Sequence, residues 1–322
     1  MLYLAPDHAA PSWGVGLLYE HVRLLREAGV EAAVLHHRHP FRVEWLGSEA
    51  PVAHLDREEP RADDLLIVPE VLAWEAAQRP WRCARGVFVQ GSFLVLSGAP
   101  RAFRYPELGY ELALAVLPHV AAVVERHLGM PAAVVPPFVA DYFFRSREEI
   151  AAAERQPVVL VVCKPEYRHA GYPDWQLCTA LLERALAERW NGWRLETLDG
   201  LTHRQVAERM ATASLLVNLN SHEAFNSTVS EAAASGCVAA CYDAVGGADF
   251  LVDGEDGIVV ANHRVFSLVE RVEWAIAAQE RRDPALLELR LRARARAERF
   301  RSERTREALL AALAPALSGG AR

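Results

Sequence analysis

The sequence predicts an α/β protein made of two doubly wound domains. Short apolar runs alternate with helical stripes through both halves of the chain, as strands and helices do in open parallel sheets. Polar or kinked residues follow directly on several of the runs. The length of 322 residues exceeds one ordinary core and suits two domains of roughly 150 residues each.

In the first half, Leu2–Ala5 reads as a strand and Pro11–Gly16 as a loop. Leu17, Leu18, Val22, Leu24, Leu25 and Ala28 then recur at helical spacing and stop at Gly29, a residue suited to a left-handed C-terminal cap. Val30–Leu35, Leu65–Val68 and Val87–Val89 are further strands. Pro69-Glu70 and Gln90-Gly91-Ser92 follow two of them, at the edge where open α/β sheets bind ligands. Glu70 is one candidate for lining that edge. Gly14-x-Gly16, at the first strand–helix junction, suits either a close approach of backbone to phosphate or a plain tight turn. From Leu112 the pattern predicts a helix broken at Pro118 and a strand near Ala121–Val124, before Pro136-Pro137 forces extended backbone.

Arg145–Gln156 is charged and alanine-rich and reads as the connection between the domains. The domains are therefore expected over residues 1–145 and 156–295, with a terminal helix over 296–322. Pro157–Cys163 opens the second domain as a strand. Lys164 and Arg168 follow it, two cations that suit either the neutralising of a diphosphate or plain exposed loop positions. Pro173–Trp190 reads as an amphipathic helix and Arg194–Leu198 as a strand, and Thr202-x-x-Gln205 is a capping box for the next helix.

The most informative stretch is Ser214–Val260. An apolar strand, Ser214–Asn218, leads through Asn220, Ser221, His222 and Glu223 into a small-residue helix from about Thr228 to Ser235, closed by Gly236. A strand over Val238–Tyr242, a Gly246-Gly247 turn, glycines at 254 and 257 and a strand over Ile258–Val260 complete it. A helix that starts directly after a strand presents free N–H groups and a positive dipole end to an anion. Asn226, Ser227 and Thr228 add polar groups there, and Glu223 and Glu231 frame the helix start with seven residues between them. A carboxylate just past a diphosphate suits a ribose diol, since each oxygen can accept one hydroxyl hydrogen. Thr228-x-x-Glu231 also fits a capping box, which would make Glu231 structural instead.

In order and spacing this stretch resembles the nucleotide-sugar site of the retaining GT-B glycosyltransferases of family 4, the glycosyl transferases group 1. The matching pieces are Glu223, Ala224-Phe225-Asn226, Glu231, Ala232–Gly236, Cys237-Val238, Gly246-Gly247 and Asp253-Gly254…Gly257. Ala224 and Asn226 replace the usual glycines, and Cys237 stands in the usual proline region. The resemblance implies a GT-B fold, two Rossmann-like domains facing each other across a cleft, with the last helix crossing back to the N-terminal domain. It implies that Glu231 holds the ribose, that Glu223 contacts the transferred sugar, and that Asn226, Ser227, Thr228, Phe225, Gly14, Gly16, Lys164 and Arg168 lie against the donor. Gly14 matches the second glycine of the family's Gly-Gly loop, and Trp13 replaces the first. Gln90 stands where many members carry a histidine near the reacting sugar; glutamine keeps the hydrogen bonding and loses any acid or base role.

The implied reaction moves a sugar from a nucleoside-diphosphate sugar to an acceptor hydroxyl with retention, the departing phosphate taking the acceptor's proton. No Asp-x-Asp lies near the site, so neither a metal nor a further cofactor is expected. The acceptor, whether saccharide, lipid-linked glycan or small molecule, and the oligomeric state are not legible. Two other readings stay open, an epimerase of sugar nucleotides on the same scaffold and a non-catalytic nucleotide-binding protein.

Composition narrows the class further. Hydrophobic residues make up 52% and charged residues 24%, the balance of a globular protein, and a net charge of −7 argues against nucleic acid. Five cysteines without Cys-x-x-Cys spacing read as free thiols in a reducing cytoplasm. His36, His37 and His39 lack a carboxylate or thiol at ligand spacing and are not expected to hold a metal. The start of the chain has neither the charge nor the apolar length of a signal peptide, so a cytoplasmic protein is expected. Ten arginines stand against four acidic residues between Arg281 and Arg306. They form either a solvated face or a helix lying on anionic lipid at the inner membrane face.

Overall fold

The computed structural model describes residues 1–10, 12–96, 99, 102–162, 172–244 and 251–319. The chain divides into two compact units, Met1–Phe138 with Ser302–Arg322, and Val139–Arg301. Each is a parallel sheet with helices packed against it.

The first unit contains β1 (Leu2–Leu4), α1 (Trp13–Glu27), β2 (Ala33–His36), β3 (Val52–His54), β4 (Leu65–Pro69), α2 (Ala73–Ala77), β5 (Ala84–Val89), β6 (Leu112–Ala115), α3 (Pro118–Leu128) and β7 (Ala133–Val134). Its seven strands run in the order β3-β2-β1-β4-β5-β6-β7, all parallel. The order reverses between β1 and β4, the position at which doubly wound sheets open a ligand crevice. The strands expected from sequence at both sides of that point are present. The chain's last helix, over Ser302–Gly319, belongs to this unit and packs on α1 and β7.

Three local expectations are corrected. Residues 112–128 form strand β6 and then α3, the reverse of a helix broken at Pro118. Proline at the first helical position has no N–H to lose and a φ already suited to the helix, so Pro118 starts α3 instead of breaking one. Val120, Val124 and Leu128, one turn apart, are its buried stripe. Gly14 and Gly16 lie inside the first turns of α1, not in a loop before it. The charged segment 145–156 is no bare connection, for it holds α4 (Arg147–Ala152). A capping box starts that helix: Ser146 Oγ accepts from Glu149 N at 3.1 Å and Glu149 Oε2 from Ser146 N at 2.6 Å.

The second unit continues with β8 (Gln156–Val162), α5 (Pro173–Arg189), β9 (Arg194–Leu198), α6 (His203–Thr212), β10 (Ala213–Asn218), α7 (Ser227–Ala234), β11 (Val238–Tyr242), β12 (Ile258–Val260), α8 (Val265–Glu280) and α9 (Pro284–Ala297). The sheet order is β12-β11-β10-β8-β9, again all parallel. The order turns between β8 and β10, so the loop leaving β10 borders this unit's crevice. Every residue of β10 is buried, as its unbroken apolar run requires of a central strand. Val159, Val161, Leu215, Val217, Val238 and Ala240 of the sheet pack with Leu182 of α5 and Leu268 and Val272 of α8.

Part of the arginine-rich end is solvated, with Arg281, Arg282, Arg292, Arg299 and Arg304 exposed, and part is engaged in the fold. Arg290 is buried on α9, Arg294 pairs with Glu298 and bonds the Arg145 carbonyl, and Arg296 pairs with buried Asp256. Arg301 bonds Asp141 at 2.9 Å and lies 3.7 Å above the Phe144 ring. No helix among the described residues is long and apolar enough to cross a membrane.

One core residue carries an expected pH effect. His21 of α1 is fully buried, edge-on to Tyr3 at 5.6 Å and 4.6 Å from Phe88, and neither ring nitrogen has a hydrogen-bond partner. Burial pushes its imidazole from 6.5 down to about 3. Between pH 6.5 and 3 the unfolded chain binds a proton that the folded chain refuses. This group therefore leaves stability intact above pH 6.5 and withdraws it as pH falls, by up to about 1.4 kcal/mol per pH unit. His21→Leu should remove that slope and add about 1–2 kcal/mol at neutral pH, where two unpaired nitrogens are lost. Urea denaturation at neutral and acid pH measures both; parallel pH curves for the two proteins would contradict the assignment.

Candidate functional site

In the second unit the crevice edge is built by asparagines. Asn218 ends β10, and its Oδ1 accepts the Asn220 N–H at 2.9 Å, a local turn that stops the strand. Its Nδ2 donates to Asn226 Oδ1, also at 2.9 Å, tying the strand end to the start of α7. Asn220 in turn accepts from His222 N at 3.1 Å and donates to Glu223 Oε1 at 2.7 Å. Glu223 is half-buried and held toward this edge. Phe225 turns its ring inward, 4.9 Å from Phe300.

Helix α7 begins without a side-chain cap. Asn226 occupies the capping position and makes no capping bond, so the first-turn N–H groups keep the helix's positive end. Its Nδ2 is buried without a partner, and so is the Ser230 hydroxyl one turn further on. Those residues are only 4% and 3% exposed. Buried donors are nearly always satisfied, so these two leave hydrogen-bonding capacity beside an uncapped helix start. Ser227 and Thr228 line the same turn, half-buried.

Glu231 sits one turn inside α7 and is 3% exposed. The capping-box alternative does not describe it, because Thr228 is the second residue of the helix and not its cap. Its Oε1 lies 2.9 Å from His203 Nε2, on the first residue of α6. The position of His203 is set by the capping box read from sequence: Gln205 N donates to Thr202 Oγ1 at 3.3 Å and Thr202 N to Gln205 Oε1 at 2.9 Å. His203 Nδ1 meets the Tyr142 hydroxyl, which orders the relay as O–H to Nδ1 and Nε2–H to carboxylate. Burial first, then the Glu231 charge, pushes the Tyr142 phenol up to about 12 against the pull of Arg204, which lies 4.7 Å over the ring. The phenol therefore stays a donor. With Oε1 engaged, Oε2 is the oxygen of Glu231 open to another hydroxyl.

In the first unit the reversal point gathers Gly14, Gln90 and Glu70. A Cβ on Gly14 would lie 2.5 Å from Gln90 Oε1, so glycine is what lets the glutamine reach across the start of α1. Gly16 is less constrained, its nearest side-chain neighbour being Trp45 at 3.5 Å. Ser12 precedes α1 and makes no capping bond. Glu70, directly after β4, is 2% exposed and accepts the Gly91 N–H at 2.9 Å. Burial pushes its carboxyl up to about 7, against the pull of backbone N–H groups.

The structure thus brings Glu223, Asn226, Ser227, Thr228 and Glu231 to one edge of the second unit, and Gly14 and Gln90 to one edge of the first. Lys164, Arg168 and the Gly246-Gly247 turn lie outside the described residues. Asn218, Asn220, His203 and Tyr142 also shape the edge and were not singled out from sequence. The two asparagines closing an apolar run were a usable signal. Nothing local ties His203 to Tyr142, 61 residues away.

Two reversing parallel sheets with a bare helix start at the second reversal define the class, the GT-B fold of glycosyltransferases. Residues 182–297 match the model of the family Glycosyl transferases group 1. The chain thus has the GT-B fold, and the segment that matches the group 1 model lies in its second unit. No curated protein matches the chain. Among solved structures it is similar to the Anabaena protein HepE in complex with UDP and glucose, at 15% identity and a TM-score of 0.71, covering 99% of each chain. It is also similar to a glycosyltransferase from Rickettsia africae, at 12% identity and a TM-score of 0.70 over 99% of this chain and 98% of that one. Sucrose-phosphate synthase from Thermosynechococcus elongatus follows at 13% identity and 0.68, over 98% of both.

Proposed function

We propose that the protein transfers a sugar from a nucleoside-diphosphate sugar to an acceptor hydroxyl, with retention of configuration and without a divalent metal. The observation that carries this reading is the pair of unpartnered buried donors, Asn226 Nδ2 and Ser230 Oγ, at the uncapped start of α7 between two glutamates. A diphosphate supplies the acceptors those donors need and the charge the helix end favours. The open oxygen of Glu231 takes a ribose hydroxyl, and Glu223 takes a hydroxyl of the transferred sugar. The bond from the anomeric carbon to the phosphate oxygen breaks as the acceptor oxygen bonds on the same face, and the acceptor's proton passes to the departing phosphate. Lys164 and Arg168, which follow β8 in the sequence, balance the charge that develops on that phosphate. HepE, bound to UDP-glucose in one of its structures, makes a uridine donor the first to try.

A thermal-shift panel of nucleoside-diphosphate sugars tests the donor. At about 100-fold over Kd a true donor should raise Tm by roughly 5 °C, through about 2.7 kcal/mol of binding energy. Transfer with the best donor in excess chelator should proceed at the rate seen without it, and the product should keep the donor's anomeric configuration. No shift with any nucleotide sugar rejects the donor site; activity lost in chelator and restored by one metal rejects the metal-free scheme.

A further inference from the structure

The opposite end of α7 holds two buried cations with no counter-charge. Arg155, just before β8, is 9% exposed, and Arg290 on α9 is 6% exposed. Arg155 Nη1 donates to the carbonyls of Met210 at 2.9 Å and Ala213 at 3.2 Å, and Nη2 to that of Ser235 at 2.7 Å, closing the C-terminal ends of α6 and α7. Arg290 Nη2 donates to Gln279 Oε1 at 2.7 Å. All four acceptors are neutral. The Nε–H of each arginine is buried without a partner, and neither residue forms an ion pair with any carboxylate among the described residues.

The two guanidiniums feel each other. Burial, and then the Arg155 charge, hold Arg290 down to about 10, and the group acting in the other direction is Cys237. That thiol is fully buried and pushed up to about 11 by burial, so at working pH it is neutral and offers no compensation. Buried charges are kept where a partner of opposite sign balances them, and water can satisfy an N–H but not a net charge. One unpartnered N–H on each arginine calls for a single small acceptor, which a monatomic anion supplies.

We propose that Arg155 and Arg290 hold a chloride-sized monovalent anion through their Nε–H groups, beside Cys237 at the C-terminal end of α7. The site is separate from the diphosphate residues, which lie at the other end of that helix. Its role is to fix α7 from behind.

The test is thermal denaturation of the full chain at constant ionic strength, with gluconate replaced stepwise by chloride. Wild type should gain roughly 3 °C in Tm by about 0.2 M chloride, saturating as a single site does. Arg290→Met should lose the chloride response. Crystals of wild type grown in sodium bromide should give an anomalous peak bonded to the two Nε atoms, which decides the matter should the variant fail to fold. Equal Tm in gluconate and chloride, or a bromide peak with no chloride effect on Tm (binding at crystal concentration only), overturns the proposal.

Discussion

Replacing Glu223 by glutamine should lower kcat by about 10²–10³-fold, the cost of losing one preorganised charge at a reacting centre, while donor Kd moves by less than about threefold. The carboxylate lies in the loop between β10 and α7, and Asn220 Nδ2 fixes one oxygen at 2.7 Å. Glutamine keeps the size and most of the hydrogen bonding but removes the charge. The anomeric carbon gains positive character as its bond to phosphate lengthens, so the charge is felt mainly in the transition state and the loss falls on kcat, not on binding. Asn220→Ala, which frees the carboxylate without removing it, should give a smaller loss in the same parameter. Steady-state rates beside calorimetric Kd values separate the two effects. A variant whose kcat stays within about twofold of wild type removes Glu223 from the chemistry.

Glu231→Ala should show the opposite division, weakening donor binding by about 10²-fold, the worth of one or two charge-assisted hydrogen bonds, with a lesser effect on kcat. His203→Ala should cost about tenfold in Kd by the loss of one such bond. It leaves the carboxylate in place but unheld. His203→Gln, whose amide can donate to Glu231 Oε1 as the imidazole does, should recover most of that loss. A purely structural role for the pair predicts no such recovery in affinity. The decisive measurement uses donors lacking one ribose hydroxyl. Wild type should discriminate against them, and Glu231→Ala should not, since the partner of the missing hydroxyl is already gone. If both proteins discriminate equally, the carboxylate does not hold the ribose.

Much of the fold was legible because its signals are local. Apolar runs bounded by polar residues located β4, β10, β11 and β12, and Gly236 closed α7 with a φ of +70°, as its place after a small-residue helix requires. The failures have equally local causes. Leu112–Ala115 and Val120–Val124 are both short and apolar, and the proline between them reads in the sequence as a breaker although it starts α3. β3 is short and half-exposed, with too few apolar residues to register. At the site, the framing glutamates and the small polar turn could be found from spacing alone. Whether Glu231 belongs to a capping box could not be read that way, because it depends on where α7 begins, and Asn226, not Thr228, stands at the cap. Its partner His203 comes from another helix, and the counter-charge missing beside Arg155 and Arg290 is a property of three-dimensional packing that no pattern of residues displays.

The terminal helix over Ser302–Gly319 belongs with the first unit, against α1 and β7. The first unit is therefore completed by residues made after all of the second unit, which has all its own elements by Arg301. Domains ordinarily mature in the order they leave the ribosome; here the later one is ready first. Until residues 302–319 have been made, the sides of α1 and β7 that they cover wait uncovered, and in that interval a nascent chain is open to chaperones or to wrong partners.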